Sequence, residues 1–359
     1  MAFSPENRKG TLSGILFVAI FAAAATFIAG LGPVKALGLS PLVIGIVMGI
    51  FYANTLHNQM PKEWQSGITF SGKKILRFAI VIYGFRITFQ QIAEVGMDGF
   101  LVSLTMLTST LIIGSWLGTK VFGMEKDTSI LTASGAAVCG AAAVLATEPV
   151  LKAEEYKTAI AVSMVVLFGT ISMFLYPVLY TTIIENATGF LHMTAREFGI
   201  YVGGTIHEVA QVVAVPASVP GAPTEMADAA VIVKMTRVIM IAPMLIVLGL
   251  YLAWDAKRAG GERNEKTKLV IPWFAVYFIG VAAFNSLPFM QSDNVKDIVN
   301  YINEVDTFLL TMAMTALGMG TIFSKFKGLG LAPIYTALSM FVWLVVGGFV
   351  ITKLVVEVL

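Results

Sequence analysis

Eleven stretches of this chain are long and apolar enough to read as membrane spans, and no other feature constrains the fold as strongly. They are Leu12–Ala29, Leu39–Asn54, Ile75–Phe89, Phe100–Phe122, Thr128–Ala146, Thr158–Thr182, Gly199–Pro216, Ala229–Trp254, Leu269–Leu287, Thr307–Phe323 and Pro333–Val355. A helix needs about 20 mostly apolar residues to cross the hydrocarbon. The third, fifth and seventh stretches are short or interrupted by polar and small residues. Composition agrees: 57% of residues are hydrophobic and 13% charged, against about 25% charged in soluble domains. That is too little polar surface for a soluble enzyme or a disordered chain. Lys+Arg 24 against Asp+Glu 22, without a basic run, argues against a nucleic-acid partner. The lone Cys139 excludes an intrachain disulfide framework and a cysteine-rich metal site. The chain therefore reads as one all-α integral-membrane domain over residues 1–359, with the lipid bilayer as its solvent.

Basic residues set the expected orientation. If all eleven stretches cross and the N-terminus is cytoplasmic, Arg8, Lys9, Lys62, Lys73, Lys74, Arg77, Lys120, Lys126 and Arg196 fall inside. So do Lys257, Arg258, Arg263, Lys266, Lys268, Lys325 and Lys327, while Lys35, Lys152, Lys157, Lys296 and Lys353 fall outside. The first apolar run is longer than a signal-peptide core and no small-residue cleavage site follows, so it reads as an uncleaved span.

An internal repeat is visible. Pro41, Gly49 and Asn54 correspond to Pro272, Gly280 and Asn285 at one constant spacing. After a three-residue shift, Leu76, Ala79, Gly84, Phe89 and Gly96 correspond to Leu310, Ala313, Gly318, Phe323 and Gly330. The first repeat element is drawn over 39–122 and the second over 269–355, with a central segment at 128–216. An odd number of crossings separates the copies, so they would run in opposite directions, the construction expected of secondary transporters.

The central segment holds two interrupted stretches. One, from Thr132 to Val144, is almost all small residues, with Gly135 and Gly140 weakening any helix. The other reads Gly203-Gly-Thr-Ile-His-Glu-Val-Ala-Gln211 and contains both the histidine and the acid drawn deepest in a span. Broken membrane helices must face protein or a watery cavity, and their freed N–H groups favour an anion. Tight helix packing through small residues is the alternative for the first segment. On helical spacing, His207 and Gln211 share one face and Thr205 and Glu208 another. Glu208 needs a partner or a proton in hydrocarbon. His207-Glu208-x-x-Gln211 falls one residue short of the zinc-peptidase pattern H-E-x-x-H, which leaves an intramembrane zinc peptidase without its second imidazole. Three cations also lie within spans: Lys234 and Arg237 three apart, and Arg86. Against Glu208 they leave an intramembrane excess of two positive charges, which suits an anionic substrate.

The segments Val138-Cys-Gly-Ala-Ala-Ala-Val-Leu-Ala-Thr-Glu-Pro149 and Gly203 to Val213 resemble the YeiH family of bacterial membrane proteins, named as sulfate exporters. Tyr83-Gly-Phe-Arg-Ile-Thr-Phe89, Lys234-Met-Thr-Arg237 and Asp306-Thr-Phe-Leu-Leu310 add to the likeness, spread over nearly the whole chain. The resemblance implies a multi-pass bacterial inner-membrane transporter with a sodium/proton-antiporter-like or bile-acid-symporter-like architecture. It also implies crossing broken helices, elevator-like movement and a homodimer. Carried onto this chain, it and the residue reading give a substrate site of Cys139, Gly140, Ala141, Gly204, Thr205, Gln211, Lys234 and Arg237. His207 and Glu208 would carry a coupling proton or set the charge of the site, with sodium as the alternative coupling ion. Where the family often has hydroxyl residues before the Cys-Gly step, this chain has Ala136 and Ala137. That favours an organosulfonate over sulfate itself.

The expected function is secondary active transport of a small anion, by a protein that is not an enzyme and uses no cofactor or metal. No G-x-x-x-x-G-K-[ST] loop occurs, so the chain has no ATP site of that type. A cation/proton antiporter using Glu208 is the principal alternative.

Overall fold

The computed structural model describes residues 7–32, 34, 40–56, 61–258, 272–290, 292–326 and 330–358. Every regular element among them is helical. In chain order the α-helices are α1 (Arg8–Gly30), α2 (Pro41–Thr55), α3 (Gln65–Phe70), α4 (Leu76–Tyr83), α5 (Phe89–Trp116), α6 (Lys126–Ala137), α7 (Ala141–Leu151) and α8 (Glu155–Leu179). They continue as α9 (Ala195–Thr205), α10 (Val209–Ala217), α11 (Thr224–Ile239), α12 (Ile241–Arg258), α13 (Trp273–Asn285), α14 (Asp293–Gly320), α15 (Leu331–Val342) and α16 (Gly348–Val358). Local sequence explains several boundaries. Ser40 accepts the Val43 N–H just ahead of Pro41, a residue suited to the first helical turn. Thr194 and Glu197 form a reciprocal capping box at the start of α9.

Five stretches are long and apolar enough to cross a membrane: Arg8–Gly30, Phe89–Val121, Tyr156–Ile184, Thr224–Asp255 and Leu331–Glu357. Pro41–Thr55, Ala141–Leu151 and Trp273–Asn285 are shorter apolar helices. The third sequence stretch begins earlier than drawn, because the π-turn Ser71–Ile75 joins α3 to α4. The tenth also begins earlier: α14 starts at Asp293 with polar turns that a hydropathy window rejects. The fifth and seventh are each two helices, α6–α7 and α9–α10. Lys35, Arg263, Lys266, Lys268 and Lys327, used for the expected orientation, lie outside the described residues.

The chain divides into two compact units. One comprises Met1–Glu94, Val213–Asp228 and Phe274–Phe326. Its core gathers Val18, Ala22, Tyr52, Ile68, Met312 and Ala316. Here α2 lies backbone to backbone against α14. A Cβ on Gly49 would fall on the Thr315 carbonyl, and one on Gly318 on the Ile46 carbonyl, so only glycine permits this approach. Asn54 Nδ2 donates to the Thr321 carbonyl at 2.9 Å, and Asn54 Oδ1 accepts the Phe323 N–H at 2.8 Å. Asn285 Nδ2 donates to the Ile87 carbonyl at 3.1 Å.

The other unit comprises Val95–Val212, Ala229–Trp273 and Lys327–Leu359. Ile130, Leu131, Val144, Ala161 and Val165 pack with Leu248 and Leu252, bringing α6, α7, α8 and α12 together. Met164, Phe168 and Ala337 join α8 to α15.

Candidate functional site

The two helix breaks lie together in the second unit. The first runs through Val138, Cys139 and Gly140 between α6 and α7. Gly140 has φ 73° and ψ −137°, a conformation that only glycine adopts readily. A Cβ there would come within 2.6 Å of Glu208 Cγ and 3.1 Å of Glu208 Oε1, so Glu208 of the second break lies directly against Gly140 of the first. The second break runs through Ile206, His207 and Glu208, with Ile206 extended at ψ 146°.

Each break leaves a helix C-terminus whose last carbonyls lack intrahelical partners, and α11 supplies the donors. Lys234 Nζ donates to the carbonyls of Val138, Ile206 and His207, each at 2.7 Å. Arg237 Nε donates to Ala137 at 2.6 Å, one terminal nitrogen to Ala136 at 2.7 Å and the other to Ile206 at 3.4 Å. Both side chains are completely buried. Cations at two helix C-termini also complement the dipoles there. An ammonium has three N–H bonds, and all three of Lys234's are engaged, so Lys234 offers a ligand charge but no contact.

Beyond the breaks, α7 and α10 begin, presenting helix N-termini. Gln211 is the third residue of α10, and its Oε1 accepts the Glu208 N–H at 3.2 Å, the return half of a capping box. The same amide packs on Gly169 of α8. Thr205 Oγ1 donates to the Tyr201 carbonyl at 2.6 Å and accepts from the Tyr176 hydroxyl at 3.0 Å. The Tyr176 and Tyr201 rings stack at 4.9 Å. His207 is buried, and its Nδ1 has no hydrogen-bond partner among the described residues.

Thus Cys139, Gly140, Thr205, His207, Glu208, Gln211, Lys234 and Arg237 gather around the two breaks, with Ala141 opening α7. Gly204 sits in the last turn of α9, where a Cβ would meet Val102, and has a packing role. The expected Thr205–Glu208 face is absent, because the extended Ile206 breaks the helical spacing between them. Sequence reading missed Tyr176 and Gly169. A phenol in an apolar stretch needs a hydrogen-bond partner, and that was the available signal for Tyr176. Among the described residues, no three His, Cys, Asp or Glu side chains come together as a metal set.

Arg86, in the first unit, is not an uncompensated cation. Its Nε donates to Asp306 Oδ2 at 3.3 Å, and one terminal nitrogen bonds the Asn303 carbonyl at 2.6 Å and Thr307 Oγ1 at 2.8 Å. Asp228 lies within electrostatic reach of Arg86, and its Oδ2 accepts from Gln91 Nε2 at 2.9 Å. Asp228 and Asp306 each precede a drawn span by one residue, so the apparent excess of two charges omitted both.

The chain matches the family model described as "Conserved hypothetical protein 698" over residues 13–337. It is 46% identical over 350 residues to a UPF0324 membrane protein of Bordetella pertussis, covering 98% of this chain and 97% of that one. This chain belongs to the UPF0324 membrane protein family. Other UPF0324 relatives include a membrane protein of Bacteroides thetaiotaomicron, 43% identical over 342 residues, covering 95% of this chain and 98% of the relative. The UPF0324 inner membrane protein YeiH of Escherichia coli is 41% identical over 348 residues, covering 97% and 95%. With these relatives and its apolar helices, this UPF0324 member is a multi-pass membrane protein.

Proposed function

We propose that this protein is a secondary transporter of a small anion, bound where the two interrupted helices meet. The charge arrangement of that meeting point carries the reading. Lys234 and Arg237 contribute two positive charges and Glu208 one negative. Two helix C-termini add about −0.5 each and two N-termini about +0.5 each. With His207 neutral, the sum is about +1, which a naked cation would worsen and an anion relieves. A monoanion such as an organosulfonate neutralises it directly. A dianion such as sulfate neutralises it when Glu208 takes a proton, so the same residue that tunes the charge couples transport to protons. Backbone N–H groups at Ala141 and Val209 and the side chains of His207 and Gln211 are the proposed direct contacts, beside Cys139, Gly140 and Thr205. The cation/proton antiporter reading fits this positive balance poorly.

The antiporter-like architecture, with about eleven spans and inverted repeats, belongs to the same proposal. The asparagines support it: Asn54 bonds Thr321 and Phe323, while the repeat-related Asn285 bonds Ile87, the repeat counterpart of Thr321. Each copy's asparagine thus grips the other copy's second helix end. A cytoplasmic N-terminus, an inner-membrane location, the repeat elements at 39–122 and 269–355, and a homodimer complete the reading.

The test is flux of labelled sulfate and a small organosulfonate in proteoliposomes, with and without a pH gradient. Sulfate flux is expected to respond to the gradient in the wild type and not in Glu208→Gln. Absence of flux of either anion above empty liposomes would refute anion transport of this class.

A further inference from the structure

The first unit contains a second buried charge cluster that the anion reading does not use. Asp306 is fully buried on α14. Its Oδ2 has one long hydrogen bond from Arg86 Nε, at 3.3 Å. The shorter bonds of that guanidinium go to the Asn303 carbonyl and Thr307. Asp306 Oδ1 is buried without a donor among the described residues, and so is the side-chain oxygen of Asn303. These two atoms belong to residues three apart on one helix, hence on one face. Burying a carboxylate with one weak partner is costly. Two orphaned acceptors on neighbouring side chains are both satisfied by one hydrogen between them.

Charge supports the same conclusion. Arg86 faces two buried carboxylates, Asp306 and Asp228, so the cluster is one negative charge in excess unless it holds a proton. Asp228 accepts from Gln91, whose Oε1 in turn accepts the Thr88 N–H at 2.8 Å. Tyr83, with Arg86 over its ring at 5.1 Å, and the exposed Glu225, within electrostatic reach of Asp228, are the remaining titratable groups around the cluster, and Glu225 adds to its negative side. Among the helices packed on α14, α2 carries no charged residue, and Arg77 of α4 lies over the Phe274 ring at 5.8 Å. The charges Arg8 and Lys9 of α1 lie at its end near Glu63. Lys73 and Lys74 flank the approach of Gly72 to Ala316, ten residues and about 15 Å along α14 from Asp306.

We infer that Asp306 is a proton-binding site, with the hydrogen on Oδ1 donated to the side-chain oxygen of Asn303 and the charge of Arg86 balanced by Asp228. The ligand is one proton, taken up without any other reactant. The inference does not depend on anion transport. A sodium ion fits poorly, because the Arg86 guanidinium already occupies one carboxylate oxygen.

The test is infrared spectroscopy of the full chain in lipid nanodiscs at neutral pH. The wild-type spectrum minus that of Asp306→Asn is expected to contain the C=O stretch of a protonated carboxylic acid, shifting in heavy water and unmoved by added sodium. In Asn303→Leu the band is expected at higher frequency, because the acid loses its acceptor. Carboxylate stretches alone in the difference spectrum, an acid band that survives Asp306→Asn, or sodium-dependent carboxylate bands would each overturn the assignment. If Asp306→Asn cannot be purified, the Asn303→Leu difference decides: a shifted acid band supports the site, and no shift refutes it.

Discussion

Two basic clusters in this protein, one fully buried and one partly exposed, use their positive charge in opposite ways. Lys234 and Arg237 bond to backbone carbonyls, whereas Arg86 bonds to a carboxylate, with a second carboxylate close by. A carbonyl supplies only part of a charge, so the first cluster keeps a positive balance that an anion can neutralise. A carboxylate supplies a full charge, and two exceed what one guanidinium cancels, so the second cluster holds a proton. The partner of a cation, rather than the number of cations, therefore decides what such a site binds.

The largest expected effect comes from removing the carbonyl clamp. Lys234→Met leaves the buried Val138 and His207 carbonyls without their donor and Ile206 with only the long bond from Arg237. It should cost about 3–5 kcal/mol of stability, as breaking a buried charge arrangement typically does, measured by unfolding in detergent. A loss below about 1 kcal/mol would mean that the breaks hold without the clamp. Arg86→Met should cost less, about 2 kcal/mol, because its side chain is 28% exposed and partly screened. Adding Asp228→Asn should recover part of that loss. Full additivity in this double-mutant cycle would separate Asp228 from the cluster. The smallest effect is expected for Tyr176→Phe, which removes the hydroxyl bond to Thr205 at a cost of about 1 kcal/mol. Thermal unfolding of the purified variant checks it.

Much of this was legible in the sequence because membrane chemistry is restrictive. Gly140 stands out as a break because glycine weakens a helix interior, and His207 and Glu208 stand out because ionisable groups are rare within membrane spans. The second break reads in sequence at Gly203-Gly204, but both stay helical and the chain extends at Ile206. Lys234 and Arg237 stand out for the same reason as His207 and Glu208. Their partners were not legible: a backbone carbonyl has no sequence signature, so the clamp reads in sequence as two cations free for a ligand. Helical spacing also failed at Thr205 and Glu208, because periodicity assumes the helix continues through the residue that breaks it. Asp228 and Asp306 were missed as buried charges because hydropathy windows begin after an acid, whereas α11 and α14 carry these acids, buried, within their helices. The polar first turns of α14 were excluded in the same way.

The central claim is that Glu208 sets the charge of the anion site, and the number of protons taken up on ligand binding tests it most directly. Calorimetric titration in buffers of different ionisation enthalpy gives that number. Sulfate binding should take up about one proton per dianion in the wild type and none in Glu208→Gln, while a monoanionic sulfonate should take up none in either. Equal proton uptake by sulfate in the wild type and Glu208→Gln would contradict the claim.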